Sequence, residues 1–321
     1  MARRRSGRKL ARSLLPIISI VVLAVVGALA WIVHGVTRPP RQPYVVTPQS
    51  FTQISAAVLK ATDETWANRD GTRARGWLLR GAEGAPAVIL LHRYGADRSW
   101  LFNLGVKLHE SRANFTILWP DLRGHGENPL VKWTSFGARE SDDVLAAIDY
   151  VKTLKTDKGQ PLVADRFGLY GVELGAYAAI KAALHDTRVR VLVLDSVPRS
   201  PDDVLRAAVS GDIGLDNRPL QFFARVATRI YFMGSYDNTP SCEMAASLKS
   251  QRALLLSGDD AGYLRDSTSD VARCFPNQAN LEVKTDLPLT GFRQPFAPPL
   301  PGEGYDQLVI DFLYKNLVPS P

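Results

Sequence analysis

Strand and helix signals alternate along this 321-residue chain, and the alternation predicts an α/β fold with a mainly parallel, eight-stranded sheet covered by helices on both faces. Two further observations favour it. "APAVILLHRYG", residues 85–95, is a continuous apolar run of the kind shown by a strand buried on both sides. "RFGLYGVELGAYAAI", residues 166–180, reads as a strand, a sharp glycine turn and a small-residue helix start.

Taken in order, "ETWANRD" and "ARGWLLRG" predict an antiparallel opening pair, and "APAVILL" the first buried strand, followed by a helix over "RSWLFNLGVKLHES". "FTILWPDLRG" predicts the next strand. The helix after it, "SDDVLAAIDYVKTL", is expected to open on a Ser141 cap with acidic residues in its first turn. "RFGLYG", "VRVLVLD", "RALLLSG" and "LEVKTDL" supply four more strands, and "GYDQLVIDFLYKNL" a closing amphipathic helix. Residues 198–249 interrupt the alternation with helical pattern and turn residues, as a lid-like insertion does, and lids often select substrate.

Net charge is +7, but eight of the 39 basic residues precede position 42 and no acid does. Residues 42–321 are left with 31 basic against 32 acidic side chains, so the folded part is close to neutral, the basic signal belongs to the N-terminus, and no nucleic-acid partner is expected. The N-terminus places Arg3, Arg4, Arg5, Arg8, Lys9 and Arg12 before an uncharged apolar run from Leu14 to Val33. At ~1.5 Å per residue such a run spans ~30 Å, enough to cross a bilayer core. Only Arg38 and Arg41 follow closely, and this asymmetry predicts a cytoplasmic N-terminus with the main domain extracytoplasmic. The expected organisation is a basic cytoplasmic tail (1–13), a single-pass anchor (14–36) embedded in the lipid bilayer, a proline-spaced linker (37–50) and one domain (51–321). A cleaved signal peptide is the alternative, because "ALA" at 28–30 resembles a cleavage site. Cys242 and Cys274 are able to pair in an oxidising compartment or to remain two buried thiols. No CxxC or histidine-rich cluster points to a metal, and no cofactor is implied.

The turn at 171–175 has a physical reading of its own. A strand that runs straight into a helix forces its corner residue into a strained backbone and needs neighbours with almost no side chain. Gly171, Gly175 and Ala176 meet that need, and the corner residue is Glu173.

Six stretches in order resemble the α/β-hydrolase fold, and more narrowly its bacterial serine esterase and aminopeptidase-like branch, from about Tyr44 to Val318. "LLHRYGADRSWL" looks like the His-Gly loop after the third strand, "PDLRGHGEN" like the turn after the fourth, and "FGARESDDVLAAIDYV" like the helix that follows. "LYGVELGAYAAI" sits at the nucleophile elbow, Gly-x-Ser-x-Gly, and "LVLDSV" and "LLLSGDD" match the strand ends that carry the acid.

The resemblance implies a nucleophile, a histidine, an acid and two N–H donors, and each is testable by position. Glu173 replaces the serine. Thr290, in "DLPLTGFRQP", replaces the histidine after the last strand. The five histidines are His34, His92, His109, His125 and His185, so the last 136 residues hold none and no shift of register supplies one. The acid position falls on Ala261, with Asp260 beside it, and Asp195 after the preceding strand is the other possible acid. Arg93 replaces a loop glycine, leaving Tyr94 N–H and Leu174 N–H as the oxyanion-hole equivalents.

These departures predict a frame without serine-type hydrolysis, serving as a module that binds a small-molecule or protein ligand. The rival is an active hydrolase in which Glu173 attacks or acts as base with His92 or His125. In the first reading Glu173 folds back on the oxyanion donors at the helix N-terminus, and Glu173→Gln is expected to lower stability modestly.

Overall fold

The computed structural model describes residues 2–40, 44–54, 59–214, 217–292 and 299–319. Eight strands form one sheet in the order β1-β2-β4-β3-β5-β6-β7-β8. The strands are β1 (Thr62–Ala67), β2 (Arg73–Leu79), β3 (Ala87–Leu91), β4 (Thr116–Pro120), β5 (Phe167–Val172), β6 (Val189–Asp195), β7 (Arg252–Gly258) and β8 (Leu281–Leu287). β1 and β2 pair antiparallel, as do β2 and β4, and every pairing from β4 through β8 is parallel.

The apolar run at β3 is continuous because both faces of the sheet are covered. Ile89 and Leu91 enter one core with α4 (Glu140–Thr153) and α5 (Leu174–His185), while Val88 and Leu90 enter the other with α3 (Phe102–Glu110) and α10 (Pro299–Leu317). The period-two alternation of a strand thus sends apolar side chains both ways, and no polar face is left to read in the sequence.

The helix α4 opens differently from expectation. It starts at Glu140, and Ser141 Oγ donates back to Ala138 O at 3.0 Å rather than capping the helix. The Glu140 carboxylate instead accepts from the backbone N–H groups of Ser135 and Gly137, both at 2.8 Å, and so organises the loop before the helix.

The insertion between β6 and β7 holds α6 (Pro201–Ile213), α7 (Arg218–Tyr231) and the short α8 (Ser241–Ala246), ahead of α9 (Leu264–Ala272). Cys242 of α8 is disulfide-bonded to Cys274 just past α9, with Cα atoms 5.3 Å apart.

One helix, α1 (Ala2–Val36), runs through the basic stretch and the apolar run. Its segment Leu14–Val36 is long and apolar enough to cross a bilayer, a description that a signal sequence also meets. The end of α1 is part of the fold. Ile32, Val33 and Val36 are buried, and the last turns pack on α6 and α7. Residues 37–50, expected as a linker, are held at several points. Thr37 is buried and its carbonyl accepts from Thr134 N at 2.9 Å, and Val45 N donates to Ser99 Oγ at 3.0 Å. The helix α2 (Pro48–Ile54) begins inside this stretch, and its Phe51 stacks on Trp77 with ring centroids 3.9 Å apart. Arg41 lies outside the described residues.

Candidate functional site

The site forms where β5 turns into α5. Glu173 stands at the corner with φ +48° and ψ −104°, a conformation that L side chains rarely adopt. The glycines make the turn possible. A Cβ on Gly171 would lie 2.4 Å from Gly175 C, and one on Gly175 would lie 2.3 Å from Leu91 O at the end of β3. The corner's backbone is tied on both sides, Glu173 N donating to Asp195 O at 2.9 Å and Tyr177 N to Glu173 O at 3.0 Å.

The Glu173 side chain points into the protein, only 4% exposed, and its Oε2 accepts from Tyr94 N at 3.1 Å. Leu174, the other oxyanion-hole equivalent, is the first residue of α5 and is fully buried. Burial pushes the Glu173 carboxyl up to about 7, and the Arg93 charge and the Tyr94 N–H only partly offset this. Arg93 itself lies between two rings, its guanidinium 4.6 Å from the Trp100 centroid and 4.8 Å from that of Phe292, and donates to Tyr94 O at 3.0 Å.

Thr290 is buried and meets Asp260. Its N–H donates to Oδ2 at 3.1 Å, and its hydroxyl reaches Oδ2 at 2.9 Å and Oδ1 at 3.1 Å. The acid position expected from the sequence is Ala261. The structure instead sets the Asp260 carboxylate against the residue at the histidine position, while Ala261 is simply buried. In a turn that begins with consecutive aspartates, spacing alone does not say which residue faces the threonine.

Asp195 belongs to a different set of bonds. It is fully buried, accepts from Ser196 Oγ at 2.6 Å and Gly291 N at 2.7 Å, and accepts from Tyr305 OH, which also bonds Tyr170 OH. Burial lifts its pKa to about 6 against those donors. Asp195 therefore fastens the loop after β8 to the sheet and to α10.

The two histidines on neighbouring loops serve the backbone. His92 Nε2 accepts from Leu122 N at 3.0 Å, which leaves Nδ1–H to donate to Arg93 O at 2.8 Å. Burial holds its pKa well below the usual imidazole value. His125 Nδ1 bonds Arg123 O at 2.9 Å, and burial lowers its pKa too.

One contributor, the end of α1, was invisible in the sequence. Tyr94, whose N–H meets Glu173, donates its hydroxyl to Val36 O at 2.8 Å, so the end of α1 is bonded to the residue beside the corner. The half-buried Leu29 and the buried Ile32, Val33 and Val36 recur at helical spacing, but inside a run that is apolar on every side such a stripe gives no signal.

No family model matches the chain. Over 125 residues it is 26% identical to a thiohydrolase, aneE, of Aspergillus aculeatus, a match covering 39% of this chain and 37% of that protein's length. Among solved structures, the esterase Pf2001 of Pyrococcus furiosus superposes with a TM-score of 0.62 at 20% identity, covering 87% of this chain and 99% of the esterase. The α/β hydrolase GrgF of a Penicillium species gives 0.56 at 17% identity, covering 80% and 99%. A dienelactone hydrolase of Anabaena variabilis gives 0.53 at 14% identity, again covering 80% and 99%. With its sheet order, its strained elbow and these neighbours, the chain has the α/β-hydrolase fold.

Proposed function

We propose that this protein is a membrane-anchored α/β-hydrolase-fold module that does not carry out serine-type hydrolysis and instead binds a small-molecule or protein ligand. One observation carries the reading: the corner side chain, Glu173, is folded inward onto Tyr94 N–H, a donor the oxyanion of an acyl-transfer intermediate would need. The same conclusion is supported by the residue at the histidine position, Thr290, whose hydroxyl is engaged by Asp260. Anchoring through Leu14–Val36 and an extracytoplasmic domain are supported by the basic residues before the apolar run and by the Cys242–Cys274 bond, a linkage that persists in oxidising compartments.

A second reading is favoured by a specific observation. A buried carboxyl with a pKa near 7 is suited to take a proton at neutral pH, so Glu173 has the acidity of a general base. The two readings part in one experiment, the turnover of small esters by the wild type, Glu173→Gln, Glu173→Ser and the Glu173→Ser, Thr290→His pair. The binding reading expects no turnover by the first three and at least ~10²-fold more by the pair, the usual contribution of a positioned base, since Asp260 already stands where a histidine would be oriented. Wild-type turnover abolished by Glu173→Gln establishes the second reading. Turnover by Glu173→Ser alone reveals a base elsewhere and ends the first.

A further inference from the structure

The lid carries an apolar face that nothing among the described residues covers. On α7, Phe223, Val226 and Ile230 follow one another at helical spacing, and Met233 continues their line just past the helix end. Ile230 is 68% exposed and Met233 90%, and Phe222 and Tyr231 flank them, half exposed. The opposite face of the same helix, Ala224 and Thr228, is buried, and Phe232 continues it into the fold. The helix thus has an inner face that the fold uses and an outer one that it does not.

Two observations say what lies against the outer face. First, α7 packs beside the last turns of α1, at the level where that helix leaves the fold and its side chains become exposed. Trp31, 65% exposed, stands at this level, and exposed tryptophans next to an apolar span settle among lipid headgroups. Second, α7 contains Arg218, Arg225 and Arg229 and no acidic residue, and an apolar face on a basic helix suits a bilayer surface. Arg225 and Arg229 turn towards Asp202 of α6, at 3.7 and 2.8 Å, away from the apolar line.

We infer that α7 lies in the membrane interface, with Phe223, Val226, Ile230 and Met233 inserted at the headgroup–acyl boundary beside the emerging anchor, so that the lid contacts a lipid surface. The inference rests on the anchored reading given above, since the depth of α7 is set by its packing on α1. It gives the protein two membrane contacts, a span and a surface helix, and holds the domain close against the bilayer.

The test uses the full chain in phosphatidylcholine–phosphatidylglycerol vesicles. An environment-sensitive fluorophore is attached at Ile230→Cys or, as control, at Lys158→Cys in the exposed turn before β5, at the far end of the parallel strands. Cys242 and Cys274 are bonded to each other and do not compete for the label. The expected result is a blue-shifted emission at position 230, quenched by a lipid-borne spin label and shielded from aqueous iodide, with the reverse pattern at 158. Free iodide access at 230 while the chain resists alkaline extraction overturns the inference and leaves the anchor standing. Release of the chain by alkaline extraction removes the anchored reading, and the inference with it. Shielding of position 230 from both iodide and lipid quencher shows a protein, such as a second copy, on this face and likewise overturns the inference.

Discussion

The elbow at 171–175 and the turn at 288–292 that faces it hold their shapes by opposite means. At the elbow the shape resides in the backbone. Glycines allow β5, α5 and the end of β3 to approach within distances that no Cβ would fit, and the side chain at the corner plays no part in that approach. In the facing turn the shape resides in side chains, with Thr290 and Gly291 tied to the carboxylates of Asp260 and Asp195. A backbone-held corner tolerates exchange of its side chain, and serine can give way to glutamate there without loss of the turn. A side-chain-held turn tolerates exchange only where the new group keeps the bond, and threonine keeps it.

The largest effect expected from this contrast is at a residue with no functional group. Gly175→Ala forces a methyl into Leu91 O and His92 O and should destabilise the protein by about 3 kcal/mol or more, read as a lowered midpoint in urea unfolding. Near-normal stability would mean that the elbow is not held by its backbone.

Next comes Glu173→Gln, which removes a charge that the fold holds at a disadvantage. The carboxyl's pKa is raised from 4.5 to about 7, so between those values the folded state binds a proton that the unfolded state has released. Stability from this group therefore falls as pH rises through that window, is fully lost above it and is fully present below 4.5. At pH 8 the glutamine variant should be more stable than the wild type by up to ~3 kcal/mol, and the gap should close towards pH 4.5. This reverses the modest loss expected from the sequence, where the helix terminus and charged hydrogen bonds were set against no burial. Burial of the carboxylate outweighs the Arg93 charge and the Tyr94 hydrogen bond. Thermal unfolding across about pH 4–8 gives the sign directly.

The smallest effect is Thr290→Val, which deletes the hydroxyl that meets Asp260 and leaves the backbone N–H bond in place. A loss of about 1 kcal/mol is expected in urea unfolding. A loss as large as that of Gly175→Ala would erase the contrast between the two turns.

The inner strands were legible because each carries its own apolar run between turn residues, and the elbow because its glycines stand at fixed spacing around the corner. What the sequence withheld were relations between distant segments. Asp260 and Thr290 are 30 residues apart, and only the folded turn shows that the second of two aspartates, not the following alanine, meets the threonine. The start of α4 escapes local rules because Glu140 binds the preceding loop, and a serine one position later looks like a cap. The pairing of Cys242 with Cys274 required the return of the chain through β7. The docking of α1 was hidden for the opposite reason, since its docked end belongs to a run that is apolar on every side.

That docking bears on how the chain is matured. Ile32, Val33 and Val36 all lie beyond the "ALA" at 28–30, on the domain's side of any cut made there. A peptidase acting after Ala30 would remove most of the membrane span yet leave the Val36 carbonyl bonded to Tyr94 and the last helical turn packed on α6 and α7. The cut and uncut chains would then differ in the span they carry while keeping the same helix end bonded beside the Glu173 corner.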